Sequence, residues 1–152
     1  MAKKVRMAIV DSYAIMADLL GQAPPSAIYY LDMIKLGEIT GYLHYLLIYE
    51  LAYHWRKGRL PFTDSMELLE FVNAYFKILN VTPETALLAS EIKVKGDNIL
   101  RSASDPSLRR RKLSIADATS IAISKELGIP IITGDRDLTY VARAMKVDVL
   151  WR

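Results

Sequence analysis

The sequence contains no cysteine. Disulfides, thiolate nucleophiles and cysteine-ligated zinc or iron–sulfur sites are therefore excluded, and a reducing compartment is consistent with the composition. Only two histidines occur, His44 and His54, and neither belongs to an HExxH zinc motif. A GxGxxG phosphate loop is missing as well, which removes the usual sign of a dinucleotide-binding Rossmann protein. There is no internal repeat. Long apolar runs are lacking: the longest, from Ile39 to Tyr49, is interrupted by His44 and is well short of the about 20 residues that span a bilayer. Lys3, Lys4 and Arg6 precede an apolar stretch, but Asp11 ends it too early for a secretory signal. The expectation is a cytoplasmic protein with no membrane partner.

What remains is rich in core material. Of 152 residues, 52% are hydrophobic and only 7 are glycine and 6 proline, so the chain is neither disordered nor of low complexity. This length suits a single domain over residues 1–152, able to bury roughly 68–70% of its unfolded surface. A net charge of +3 and a pI near 9.1 lean towards a polyanionic partner without identifying one.

Strands and helices alternate along the chain. Val5 to Val10 reads as a buried strand, with Asp11-Ser12 where a helix cap belongs. Tyr13 to Leu20 and Pro25 to Leu36 read as helices, and an extended piece lies near Glu38–Thr40. Tyr42 to Lys57 is expected to be one helix, with Tyr42, Tyr45, Tyr49 and Tyr53 along a stripe suited to a core or a dimer interface. Thr63-Asp64 caps a helix to about Phe76, a short strand lies in 77–81, and Thr82-Pro83 opens a helix to about Lys95. Residues 96–112 read as a long basic loop whose Arg101, Arg109, Arg110, Arg111 and Lys112 either neutralise the backbone phosphates of a nucleic acid or form a merely solvated charged surface. Ser114 caps a helix with Asp117 at its third position. Gly128 ends it, Ile129–Thr133 is a strand, Leu138–Met145 a helix and Val147–Trp151 a last strand. This alternation indicates an α/β fold, a three-layer α/β/α sandwich with a mainly parallel central sheet.

Four acids stand at corresponding places. Asp11 and Asp135 follow strands, Asp117 lies in a first helical turn, and Glu50 lies on an inward helical face where an ionised carboxylate costs several kcal/mol unless paired, for instance with His54, or bound to metal. In open α/β sheets, ligands sit beyond the strand ends, so these acids could share one crevice. Their mutual repulsion would be relieved by a hard divalent cation such as Mg²⁺.

The segments Ala8-Ile9-Val10-Asp11-Ser12, Tyr49-Glu50-Leu51, Ala116-Asp117-Ala118 and Ile132-Thr133-Gly134-Asp135-Arg136-Asp137-Leu138 resemble, in order and spacing, the motifs of the PIN domain, most closely those of VapC-like toxin ribonucleases. The resemblance covers nearly the whole chain. It implies a PIN-like fold and Mg²⁺- or Mn²⁺-dependent endoribonuclease activity, with Asp11, Asp117 and Asp135 as metal ligands and Glu50 orienting water or ligating. It further implies supporting roles for Ser12 and Thr133, a homodimer, and a small antitoxin partner. Asp137 could be an outer ligand or cap the helix near Leu138. Tyr13 departs from the family pattern. Alternatives are a PIN nuclease of RNA processing and a non-catalytic RNA- or protein-binding module. A haloacid-dehalogenase-type phosphohydrolase would need a second acid where Tyr13 stands.

Overall fold

A computed structural model describes residues 4–152; Lys3 of the expected basic N-terminal segment lies outside the described residues. These residues form, in order, β1 (Met7–Val10), α1 (Ser12–Leu19), α2 (Pro25–Lys35), β2 (Thr40–His44), α3 (Tyr45–Arg56) and α4 (Ser65–Tyr75). There follow β3 (Phe76–Leu79), α5 (Pro83–Arg101), α6 (Pro106–Arg109), α7 (Ile115–Leu127), β4 (Ile131–Ile132), α8 (Arg136–Ala144) and β5 (Val149–Leu150).

The strands make one sheet in the order β3-β2-β1-β4-β5, and every pairing is parallel. Right-handed crossovers then assign α1–α4 to one face and α5–α8 to the other. Packing agrees: α1 touches α2 and α3, and α3 touches α4, while α5 lies against α7 and α8. The expected three-layer α/β/α sandwich is what forms. Its core runs through the sheet, with Ala8, Ile9, Val10, Leu43, Ile131 and Ile132 essentially inaccessible. Ala118, Ser120, Ala122 and Ser124 are also buried, and their small side chains let α7 settle closely onto β1 and β4.

The chain departs from its sequence pattern in three places. The helix expected from Tyr42 begins only at Tyr45, because Thr40–His44 is drawn into the sheet between β1 and β3. Local helical periodicity loses there to two rows of backbone hydrogen bonds. Tyr45, Tyr49 and Tyr53 are consequently an exposed face of α3 and not core. Second, the helix expected to stop near Lys95 continues to Arg101, and α6 takes up Pro106–Arg109, so the anticipated 96–112 loop is more helix than loop. Gly96 is buried inside it for a packing reason: a Cβ would come within 2.7 Å of Leu113 Cδ2 and 3.2 Å of Val141 Cγ1. Third, β4 and β5 are two residues each, shorter than their apolar runs.

Candidate active site

The chain runs outwards from β1 through β2 to β3, then returns to β4 on the other side of β1. That reversal opens a crevice at the carboxyl ends of β1 and β4, the usual ligand position in such a sheet. Asp11 follows β1 directly, and Thr133, Gly134 and Asp135 follow β4. From the layer of α1–α4, α3 brings Glu50; from the opposite layer, α7 brings Asp117. All four acids line one cleft of about 600 Å³.

Local chemistry fixes each of them. Asp11 occupies the cap position of α1 but makes no side-chain capping bond. Its Oδ2 instead accepts from Thr133 Oγ1 at 2.7 Å, and the same hydroxyl oxygen accepts from Asp135 N at 3.0 Å. Thr133 therefore ties together the two loops that carry acids. Ser12 Oγ donates to Glu50 Oε1 at 2.9 Å, which joins α1 to α3; the alternative partner His54 pairs instead with Arg59, Nδ1 to Nη1 at 2.8 Å. Asp135 caps α8 by accepting from Leu138 N at 3.0 Å. Ser114 caps α7, and Asp117 N donates to its hydroxyl at 3.0 Å, as the sequence predicted. The approach to α7 is clamped by α5: Asp97 Oδ1 accepts from Leu113 N and Lys93 Nζ donates to Leu113 O, both at 2.8 Å.

Behind α7 lies His44, the last residue of β2, whose Nε2 is 2.9 Å from Ser120 Oγ. Burial pushes its pKa down to about 4, so it is an uncharged spacer between β2 and α7 at neutral pH.

The electrostatics are those of crowded acids. Burial pushes Asp11 up to about 7, opposed by the Thr133 hydrogen bond and reinforced by Glu50 and Asp135. Asp117 is raised well above its ordinary value by burial, then by Asp11, Asp135 and Glu50. Glu50 is raised by burial and by Asp135, and Asp135 by burial with Asp137 adding to it. Asp117 thus registers all three of the other acids, Asp11 registers Glu50 and Asp135, and Glu50 registers Asp135, as close neighbours in a poorly solvated space do.

The remaining expected residues divide. Arg111 and Lys112 line the cleft, whereas Arg101, Arg109 and Arg110 do not. Asp137 lies in the wall, nine-tenths buried, with Oδ2 accepting from Arg111 Nε at 2.8 Å. It does not cap α8, a position Asp135 takes. Tyr13, Met16, Ala17, Leu20, Gln22 and His54 also face the cleft. Sequence reasoning noted Tyr13, and His54 as a possible partner of Glu50, and passed over Met16, Ala17, Leu20 and Gln22; the α1 residues recur at helical spacing, a pattern that a core-facing helix shares.

Among the described residues, no group of three or more His, Asp or Glu side chains is drawn close enough to hold a metal ion by itself, and Thr133, Ser12 and Leu138 N each engage one carboxylate oxygen. The donor set still suits a hard cation that keeps several waters and takes one or two carboxylates directly, as Mg²⁺ does. It consists of carboxylate oxygens facing a half-open cleft, without soft ligands.

The fold and this acid-floored switch-point cleft define a class, and comparison names it. A sequence model of the PIN domain matches residues 8–144; the chain belongs to the PIN domain family. No curated protein matches the sequence significantly. Among solved structures, PAE2754 from Pyrobaculum aerophilum is 23% identical, with 90% of this chain and 84% of that one aligned at a TM-score of 0.58. VapBC2 from Rickettsia felis, solved bound to a DNA fragment from its promoter, is 11% identical over 94% of this chain and 96% of that one, with a TM-score of 0.61. The sarcin-ricin-loop-cleaving toxin VapC20 from Mycobacterium tuberculosis is 16% identical over 87% and 92%, with a TM-score of 0.51. At these identities the likeness is one of fold.

Proposed function

We propose that the protein is a divalent-metal-dependent endoribonuclease of the VapC-like toxin type, using Mg²⁺ or Mn²⁺. The observation that carries this reading is the convergence of Asp11, Glu50, Asp117 and Asp135 on one cleft, where burial and neighbouring carboxylates hold Asp11 and Asp117 above their ordinary pKa. Asp11, Asp117 and Asp135 would hold the cation, with Glu50 ligating or orienting water. Bound there, it would supply an activated nucleophile and stabilise charge on the scissile phosphate. The chain's own residues do the positioning: Thr133 holds Asp11, Ser12 holds Glu50, and the caps of α7 and α8 set the height of Asp117 and Asp135. Arg111, oriented by Asp137, and Lys112 would neutralise RNA phosphates at the cleft edge.

The partners follow the same reading. PIN proteins of this fold include VapBC2, solved on its promoter DNA, so a small antitoxin is the expected partner in the cell. Tyr45, Tyr49 and Tyr53 form an exposed aromatic face on α3, suited to a homodimer contact. The decisive experiment incubates antitoxin-free protein with a broad RNA panel, with Mg²⁺, Mn²⁺ or chelator, and sequences the ends produced. Cleavage only with metal is expected; an intact panel under every condition refutes the activity. Calorimetry with Mn²⁺ should show binding that weakens in Glu50→Gln and Asp135→Asn.

A further inference from the structure

The cleft has two unlike walls. One carries Arg111 and Lys112; the other is the face of α1 formed by Tyr13, Met16, Ala17 and Leu20, with Gln22 beyond its end. Tyr13 and Leu20 are each 46% exposed, so the fold leaves apolar surface wet directly beside the acids. Tyr13 follows Asp11 and Ser12 in the chain, which stands its ring at the edge of the acidic floor.

That ring is held in place. It meets Trp151 edge to face, with centroids 5.7 Å apart and planes at 72°. Trp151 in turn lies across the backbone of Gly134, where a Cβ would overlap the indole, and its carbonyl accepts a hydrogen bond from Ser26 Oγ. Gly134 is the residue before Asp135. The aromatic pair therefore bridges the loops that deliver Asp11 and Asp135, and both a glycine and a backbone anchor are devoted to seating it.

We propose that the α1 wall is a nucleobase subsite: one unpaired base of the RNA stacks on Tyr13 against Met16 and Leu20, while the adjoining phosphate faces Arg111, Lys112 and the acids. This rests on the nuclease reading above and makes Tyr13 the residue that holds the base next to the cut. A ligand matching both walls must be planar and apolar at one side and anionic at the other, within a cleft of about 600 Å³; a nucleotide has that character. A base inside an A-form helix has both faces covered and cannot stack there, whereas bases of loops and bulges can. Gln22 can donate to and accept from a base edge. Tyr13, where the sequence departs from its family's small polar residue, becomes a determinant of which RNA is bound.

The test needs no knowledge of the natural target. Fluorescein-labelled decaadenylate, decauridylate, a ten-pair RNA duplex and an abasic decamer are titrated into the full chain in chelator, where hydrolysis is off. Anisotropy should show the base-bearing single strands binding about tenfold or more tighter than the abasic strand, the range expected for one base on an aromatic ring. Tyr13→Ala and Tyr13→Leu should erase that difference, and Tyr13→Phe should keep it. In metal-dependent cleavage of a loop-bearing hairpin, Tyr13→Ala should raise KM about tenfold with kcat little changed. An abasic residue beside the cut should add no further loss in that variant. Equal binding of base-bearing and abasic strands, independent losses in the cycle, or a Tyr13→Ala effect confined to a protein partner's binding overturns the subsite. Each of those results leaves metal-dependent cleavage standing, whereas an uncut panel refutes the nuclease and leaves the base preference to be read from anisotropy alone.

Discussion

The two ends of the same five strands carry opposite charge in opposite circumstances. At the carboxyl ends, four acids are packed into a cleft with protonation pushed upwards. At the amino ends, Lys4, Arg6, Lys125, Arg143 and Lys146 surround a broad trough with one acid, Asp148. The basic groups are exposed, and α7 and α8 end among them, with Lys125 Nζ donating to the Met145 carbonyl at 3.0 Å. Cations at helix C-termini in water answer the helix dipole and cost little to keep apart. Buried acids have no such relief, since removal from solvent magnifies their repulsion. Net charge alone would have drawn attention to the basic end; burial identifies the acidic one.

The largest effect expected from breaking this contrast is on turnover. Asp11→Asn and Asp117→Asn should each lower metal-dependent RNA cleavage by roughly 10³-fold, since a cation's stabilisation of the transition state is worth several kcal/mol. Circular dichroism and melting should show an intact and no less stable fold, because each change removes a repelling buried charge.

Next comes the pH dependence of stability without divalent metal. A carboxyl whose folded pKa exceeds its unfolded one stabilises the protein while protonated and loses that contribution as pH rises. Asp11, raised from 3.8 to about 7, places the loss between about pH 4 and 7. The metal-free Tm should fall across that window, corresponding to a few kcal/mol in all. Added Mg²⁺ should restore Tm at pH 8 far more than at pH 5. A Tm flat or rising from pH 4 to 7 would show that the acids are not crowded.

Smaller is Gly134→Ala, whose new methyl must displace Trp151 at about 1–3 kcal/mol, read as a lower midpoint in urea. The least effect belongs to the basic end: Lys125→Glu and Arg143→Glu should move stability by about 0.5 kcal/mol or less and leave cleavage within about twofold. A large loss of cleavage there would erase the distinction between the two ends.

The parallel α/β alternation and the caps Asp64, Ser114 and Thr82 were legible in the sequence, because a cap and an apolar period are local signals. So were the places of Asp11, Asp117 and Asp135 at strand ends and a helix start, and of Glu50 on the inner face of a helix. The strand at Thr40–His44 was not, since its conformation is decided by β1 and β3 on either side. Gly96 looked like a breaker, and only its fit against Leu113 and Val141 explains its place within α5. The cluster of cations in 96–112 gave no sign that Arg111 and Lys112 alone would reach the cleft. That selection depends on α6 and on the pairing of Arg111 with Asp137. Trp151 over Gly134 likewise joins residues whose proximity exists only once β5 is beside β4.

The hydrogen bond from Thr133 to Asp11 joins positions 122 residues apart. While a nascent chain is still emerging, Asp11 has neither that partner nor Asp135, and the pocket has no second half. Under the function proposed above, a ribosome-tethered intermediate would therefore hold no complete acid site, and fraying of the two-residue strand β4 would open the same contact in a finished molecule.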